Sequence, residues 1–205
     1  MVKRHKIDKN ALNQLLTKTG LESIPENLFL DEFSGWDDTS FMAHSKLIMK
    51  HIYCKPYWKW IRNLADKIKN NKIVEVGAGN GLVSLALRHL GCDITAVDNK
   101  KWMISSTEVI TADAVSYVQE NKFDVLLCCW PEMSDMFYLT CENFLKNNKN
   151  GKIIYCGENV GGCTASDKFF DNYDLNFLDI GYEPCIGLYD FFYVACKKER
   201  DKISP

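Results

Sequence analysis

Apolar residues recur at helical spacing along one stretch of the chain and in short dense runs along the rest. Tyr57, Trp60, Ile61, Leu64, Ala65 and Ile68 form one stripe, with Lys59, Arg62, Asp66 and Lys67 opposite. That pattern predicts an amphipathic helix whose stripe packs on a core. Pro56 sits at its first turn, where a missing N–H costs nothing. Trp58 falls off the stripe and suits either a ligand cover or the edge of the core. Upstream, residues 7–19 and Ser40 to about Tyr53 read as two further helices, separated by a loop holding Pro25 and Gly35.

After Lys72 short apolar runs alternate with helical stretches. The predicted strands are Lys72–Val76, Asp93–Val97, Glu108–Thr111, Phe123–Cys129, Lys152–Cys156, Leu178–Pro184 and Phe191–Lys197. Helices are predicted over Leu82–Leu90, Ala114–Glu120, Ser134–Leu145 and Ala165–Tyr173. Such alternation implies right-handed crossovers and a parallel sheet covered on both faces, an α/β three-layer sandwich of Rossmann-like type. About six residues, Cys185 to Asp190, join the last two runs, too few for a parallel crossover. The expectation is therefore seven strands, mostly parallel, with one antiparallel. Residues 1–54 would form an N-terminal helical extension, a lid if His44, Lys46, Tyr53 and Trp58 fold over a ligand, and 55–205 the main domain.

Composition narrows the class. Of 205 residues 46% are apolar, enough for a core, and no run reaches the length of a membrane span. The basic start, Met1 to Lys6, precedes no apolar stretch, so a soluble, cytoplasmic protein is expected. Nine cysteines, an odd number without a Cys-x-x-Cys pair, read as buried free thiols rather than disulfides or a metal site. Residues 1–72 carry 13 Lys/Arg against 8 Asp/Glu, and the remainder 12 against 19, giving the net −2. The basic excess reads as a solvated helix face; no RNA-binding motif is present, so nucleic acid is not expected as a partner.

The chemistry concentrates in Ile73-Val74-Glu75-Val76-Gly77-Ala78-Gly79-Asn80-Gly81, which leaves a strand and enters a helix. Glycines there let a ligand approach the backbone, and the helix N-terminus favours an anion. A carboxylate or a pyrophosphate would suit that geometry equally. Three details separate them. Leu82 stands where the dinucleotide fingerprint wants a small residue. Glu75, two residues before the first glycine, would repel a pyrophosphate but could engage an ammonium. Asp98 ends the second strand, where a carboxylate can accept from both ribose hydroxyls, and Asp113 follows the third, where it could meet an adenine amine. A ligand with a carboxylate, an ammonium, a ribose and an adenine meets all these demands, and S-adenosylmethionine is that ligand. An NAD-type protein, or a fold that has lost its ligand, is the alternative.

The run from Lys72 to Asp113 resembles the nucleoside-binding half of class I S-adenosylmethionine-dependent methyltransferases. Glu75, Gly77, Gly79 and Gly81 match their first motif, Asp98 their ribose-binding acid and Asp113 their adenine-contacting acid. Ala78, Asn99, Ala114, Cys129 and Trp130 adjoin these strand ends and complete the expected cofactor-contacting set. Trp130-Pro131 after the fourth strand, and Gly157-Glu158 with Gly161-Gly162-Cys163-Thr164 after the fifth, resemble a methyltransferase-like branch. That branch usually carries a second proline where Glu132 stands, and His-Asp where Tyr189-Asp190 stands.

The resemblance implies methyl transfer to a small molecule or a protein side chain, or else a non-catalytic scaffold that keeps the fold. The reaction needs positioning and, for a protic nucleophile, a base. Glu132 and Glu158 are the candidate bases, at the ends of strands four and five. No cation adjoins Cys129 in sequence, so core packing rather than nucleophilic attack is expected of it.

Overall fold

The computed structural model describes residues 58–100, 107–159, 162–184 and 189–199. The expected helices over 7–19 and 40–53, the extension 1–54 and the lid residues His44, Lys46 and Tyr53 lie outside them. Within the described residues the order is α1 (Trp58–Ile68), β1 (Lys72–Val76), α2 (Leu82–His89), β2 (Asp93–Asp98), β3 (Ile110–Thr111), α3 (Ala114–Glu120), β4 (Val125–Cys129), α4 (Met136–Asn147), β5 (Lys152–Glu158), α5 (Asp167–Asn172), β6 (Tyr173–Phe177) and β7 (Asp190–Lys197). One seven-stranded sheet has the order β3-β2-β1-β4-β5-β7-β6. β7 runs antiparallel to both β5 and β6, so it is the one reversed strand, as the sequence implied.

Side-chain alternation explains the three layers. Along β4, Val125, Leu127 and Cys129 pack with α1 and α2, while Leu126 and Cys128 pack with α3 and α4. Both faces are apolar because helices cover both, which is why the strands read as unbroken hydrophobic runs. On the first face Trp60, Leu64 and Ile68 are fully buried, as the stripe predicted. Trp58 joins that cluster at 5% exposure, its ring 5.7 Å from His89, so it covers the edge of the core. The second face holds a stack of Phe137, Tyr155, Phe169 and Tyr173.

The sixth strand is not where the sequence placed it. The helix expected to reach Tyr173 ends at Asn172, and Tyr173–Phe177 is the strand. Tyr173 turns its ring onto Phe169 and donates its hydroxyl to Glu142 at 2.9 Å, which fixes it in extended backbone. The apolar run Leu178–Pro184 is irregular instead. Asp179 Oδ1 accepts the N–H of Gly181, whose φ of 69° breaks any strand. Ile180 and Tyr182 still reach the core, because Asn63 holds the Ile180 carbonyl at 2.9 Å. β6 therefore ends at Phe177, well before Cys185. The antiparallel direction holds, but pairing on both sides of β7 sets it, not a short loop.

Among the described cysteines none is in a disulfide, and 92, 128, 129, 141 and 156 are buried. No helix among the described residues is long and apolar enough to cross a membrane.

Candidate functional site

The sheet order reverses between β1 and β4, so a crevice opens at their carboxyl ends, the usual ligand position in such sheets. The glycine turn lies there. Gly77, Gly79 and Gly81 all have positive φ, at 61°, 57° and 79°. Backbone bonds stitch the turn to β2: Ala78 donates to the Val97 carbonyl at 3.0 Å, and Gly79 to Asp98 Oδ2 at 2.8 Å. The other carboxylate oxygen of Asp98 accepts from Lys100 at 2.8 Å. Asp98 and the turn are thus one unit, with Asn99 exposed on its rim.

Above Gly79 nothing lies within 4 Å of where a Cβ would stand, so that side of the turn is open. Gly81 is the reverse. A Cβ there would meet Val109 at 2.8 Å and Thr107 at 2.9 Å, on backbone that already disfavours side chains. Gly81→Ala should destabilise the fold by about 1–3 kcal/mol, read as a fall in the urea midpoint; an unchanged midpoint would contradict this packing.

Asn80 carries a signal the sequence reading passed over. It is 5% exposed, its Oδ1 caps Leu82 at 3.1 Å, and its buried Nδ2 has no hydrogen-bond partner. A buried amide donor beside an open turn suits an anionic ligand group. A short polar amide between two glycines was the available clue.

Glu75 lies beneath the turn at 2% exposure and accepts a hydrogen bond from the buried Ser84 hydroxyl of α2. Burial pushes its carboxyl up to about 7, against the partial relief given by Ser84. A raised folded value means the protonated form favours folding. That contribution is complete below about 4.5 and is lost as the pH passes about 7. Stability measured by denaturant should therefore fall between pH 5 and pH 8, and Glu75→Gln should flatten the fall. An equal slope in both proteins would remove Glu75 as its source.

Asp113 caps α3, its Oδ1 accepting from the Ser116 N–H and hydroxyl, both at 2.9 Å, with Ala114 buried behind it. At the end of β4, Cys129 is buried and desolvation raises its thiol above the usual range. That suits packing and not attack, as expected. Trp130 follows with φ of 54°, rare for a tryptophan. Its N–H bonds the Cys156 carbonyl at 2.7 Å, and its indole Nε1 donates to Asp190 Oδ2 at 2.7 Å.

The two candidate bases stand apart in character. Glu132 is exposed on the loop after β4. Glu158 is partly buried, and its Oε2 accepts from the Cys163 N–H, while Thr164 and Tyr155 hold its backbone at 2.8 and 2.6 Å. Its carboxylate braces the Gly162-Cys163 turn, which is also why a side chain at Gly162 would collide with it. No group of His, Cys, Asp and Glu among the described residues could hold a metal ion.

Comparison with known proteins gives three findings. The family described as tellurite resistance protein TehB matches residues 48–191. A ubiquinone biosynthesis O-methyltransferase of Bordetella avium (strain 197N) is 29% identical over 69 residues, 34% of this chain and 29% of that protein. The chain thus aligns with under a third of that curated relative's length. Among solved structures, magnesium protoporphyrin IX methyltransferase of Synechocystis PCC 6803 with bound S-adenosylmethionine has 10% identity and a TM-score of 0.46. That match covers 96% of this chain and 100% of that one. A mutant of MtNAS with S-adenosylmethionine has 15% identity and a TM-score of 0.49, over 93% and 76%.

Proposed function

The chain belongs to the tellurite resistance protein TehB family, and from that premise we propose that it is an S-adenosylmethionine-dependent methyltransferase acting on a small molecule or a protein side chain. The observation that carries this reading is the bond from Gly79 to Asp98, which makes the glycine turn and the strand-end acid one preformed unit. Asn80 adds a buried donor with nothing to bond, and the open face of Gly79 leaves room beside it.

The residues fit that cofactor by chemistry. The turn and Asn80 Nδ2 would receive its carboxylate, and Glu75, supported by Ser84, would offer its carboxyl to the ammonium. Asp98 keeps acceptor capacity on both oxygens for the ribose hydroxyls, and Asp113 has Oδ2 for the adenine amine. Ala78, Asn99, Ala114, Cys129 and Trp130 line the same strand ends. When bound, the cofactor would supply a methyl group on a sulfonium, from which the neutral thioether departs readily. The chain's own task is then to orient the acceptor and exclude water. Of the two candidate bases, Glu132 is the freer to take a proton, since Glu158 is committed to its turn. Glu132→Gln should slow methyl transfer from labelled cofactor into a cell extract at least tenfold; an unchanged rate would remove it from that role.

Thermal stability with S-adenosylmethionine, its demethylated product S-adenosylhomocysteine, and NAD tests the reading. A rise with the first two alone is expected. A rise with NAD alone, or with none, would overturn it.

A further inference from the structure

Asp190 opens β7 at the same end of the sheet as the crevice, opposite Glu158 in the ladder. It is 2% exposed. Its Oδ2 accepts from Trp130 Nε1 at 2.7 Å and from the Tyr182 hydroxyl at 2.8 Å. Both donors are neutral. Its Oδ1 is buried with no hydrogen-bond partner, and no Lys or Arg among the described residues pairs with it. A buried carboxylate with one oxygen unsatisfied and no counter-charge is costly, and native folds rarely keep one without a reason.

A second observation meets it at the same place. Trp130, whose indole is bonded to this carboxylate, is held at φ of 54° directly after β4. A bulky residue in left-handed backbone is strained and persists where surrounding structure over-determines it, most often at functional sites. Here the Cys156 carbonyl holds its N–H and Asp190 holds its ring. The rings of Tyr182 and Phe192 lie 6.3 and 6.5 Å from that of Trp130. Of the three, Tyr182 and Phe192 are buried and Trp130 is partly exposed, so the Trp130 ring is the one a ligand meets first.

We propose that Asp190 anchors a cationic amine of the methyl acceptor: the ammonium donates to Oδ1 and lies against the Trp130 ring, while Trp130 Nε1 and Tyr182 hold Oδ2. An ammonium supplies what no described residue gives this carboxylate, a charge-assisted donor and a counter-charge, and aromatic faces attract cations. An anionic acceptor would meet a buried negative charge and be repelled. The inference rests on the methyltransferase reading only in placing the acceptor here; the anchor itself is tested apart from it.

The test uses three ligands sharing one ring: 2-phenylethylammonium, 2-phenylethanol and phenylacetate. Each is titrated into the full chain, with and without S-adenosylhomocysteine, and followed by tryptophan fluorescence. The ammonium should bind roughly tenfold tighter than the alcohol, and the acid weakest of all. Asp190→Asn should bring ammonium and alcohol to within about twofold, while keeping the thermal shift with S-adenosylhomocysteine. Trp130→Phe, which leaves the carboxylate, should retain a preference for the ammonium. If the alcohol or the acid binds as tightly as the ammonium, if none binds, or if Asp190→Asn keeps the preference, the anchor is overturned. Should Asp190→Asn fail to fold, the ligand series in the unmodified chain decides. An ammonium preference without any S-adenosylhomocysteine shift would sink the cofactor reading and leave the anchor standing.

Discussion

Asp98→Ala should abolish the stabilisation given by S-adenosylhomocysteine, with affinity lowered roughly 100-fold or more. Asp98 is 7% exposed, and each of its oxygens accepts one backbone N–H, from Gly79 and from Lys100. Removing the carboxylate orphans the Gly79 donor and leaves the turn tied to β2 by the Ala78 bond alone, which costs about 1–3 kcal/mol for the lost buried bond. It also removes the acceptors proposed for a ribose. Asp98→Asn separates the two effects in part, because it keeps an acceptor for one N–H but sets an amide N–H₂ against the other. It should recover some stability and little binding. Calorimetric titration with S-adenosylhomocysteine reads the affinity. Unaltered binding by the alanine variant would show that the acid serves the turn alone.

The second large effect lies in the core. Trp60 is fully buried, with its ring 5.0 Å from Phe192 and edge-on to Tyr182 at 5.6 Å. Trp60→Ala leaves a void that a sheet and two helices can close only partly, and should cost about 3–5 kcal/mol in denaturant unfolding. The loss should travel further than stability. Tyr182 bonds Asp190, so loosening its packing should weaken the Trp130 cluster at the mouth of the crevice. Trp60→Phe should lose much less. If both variants unfold at the wild-type midpoint, α1 is not the wall of this core.

Much of this architecture was legible in the chain because local and tertiary demands agree. Strands covered on both faces need no alternation, so runs such as Val125–Cys129 announce themselves. The stripe from Trp60 to Ile68 and the glycine turn likewise obey rules confined to a few neighbouring residues. The stretch from Ala165 to Pro184 fails for the opposite reason. Tyr173 takes its backbone from partners in α4 and α5, and Ile180 and Tyr182 reach the core through a turn pinned by Asn63. None of these contacts is visible in sequence spacing.

The same division runs through the site. A strand-end acid after a glycine turn has a stated chemistry, so the sequence singles out Asp98, which the fold ties to that turn, whereas Glu158 stands out by position alone and braces a loop. Sequence spacing assigns Asn80 no role, and it marks Asp190 only as the neighbour of Tyr189, where the chain departs from a related branch. Their significance rests on an unsatisfied buried atom, Nδ2 in one and Oδ1 in the other, and satisfaction is a property of the folded chain.

A crystal structure of the full chain with S-adenosylhomocysteine tests the central claim most directly. The expected density puts the amino-acid tail against Gly77–Gly81 and Asn80, and the ribose hydroxyls on Asp98. Density for the nucleoside elsewhere, with Asp98 touching no ligand oxygen, would contradict it.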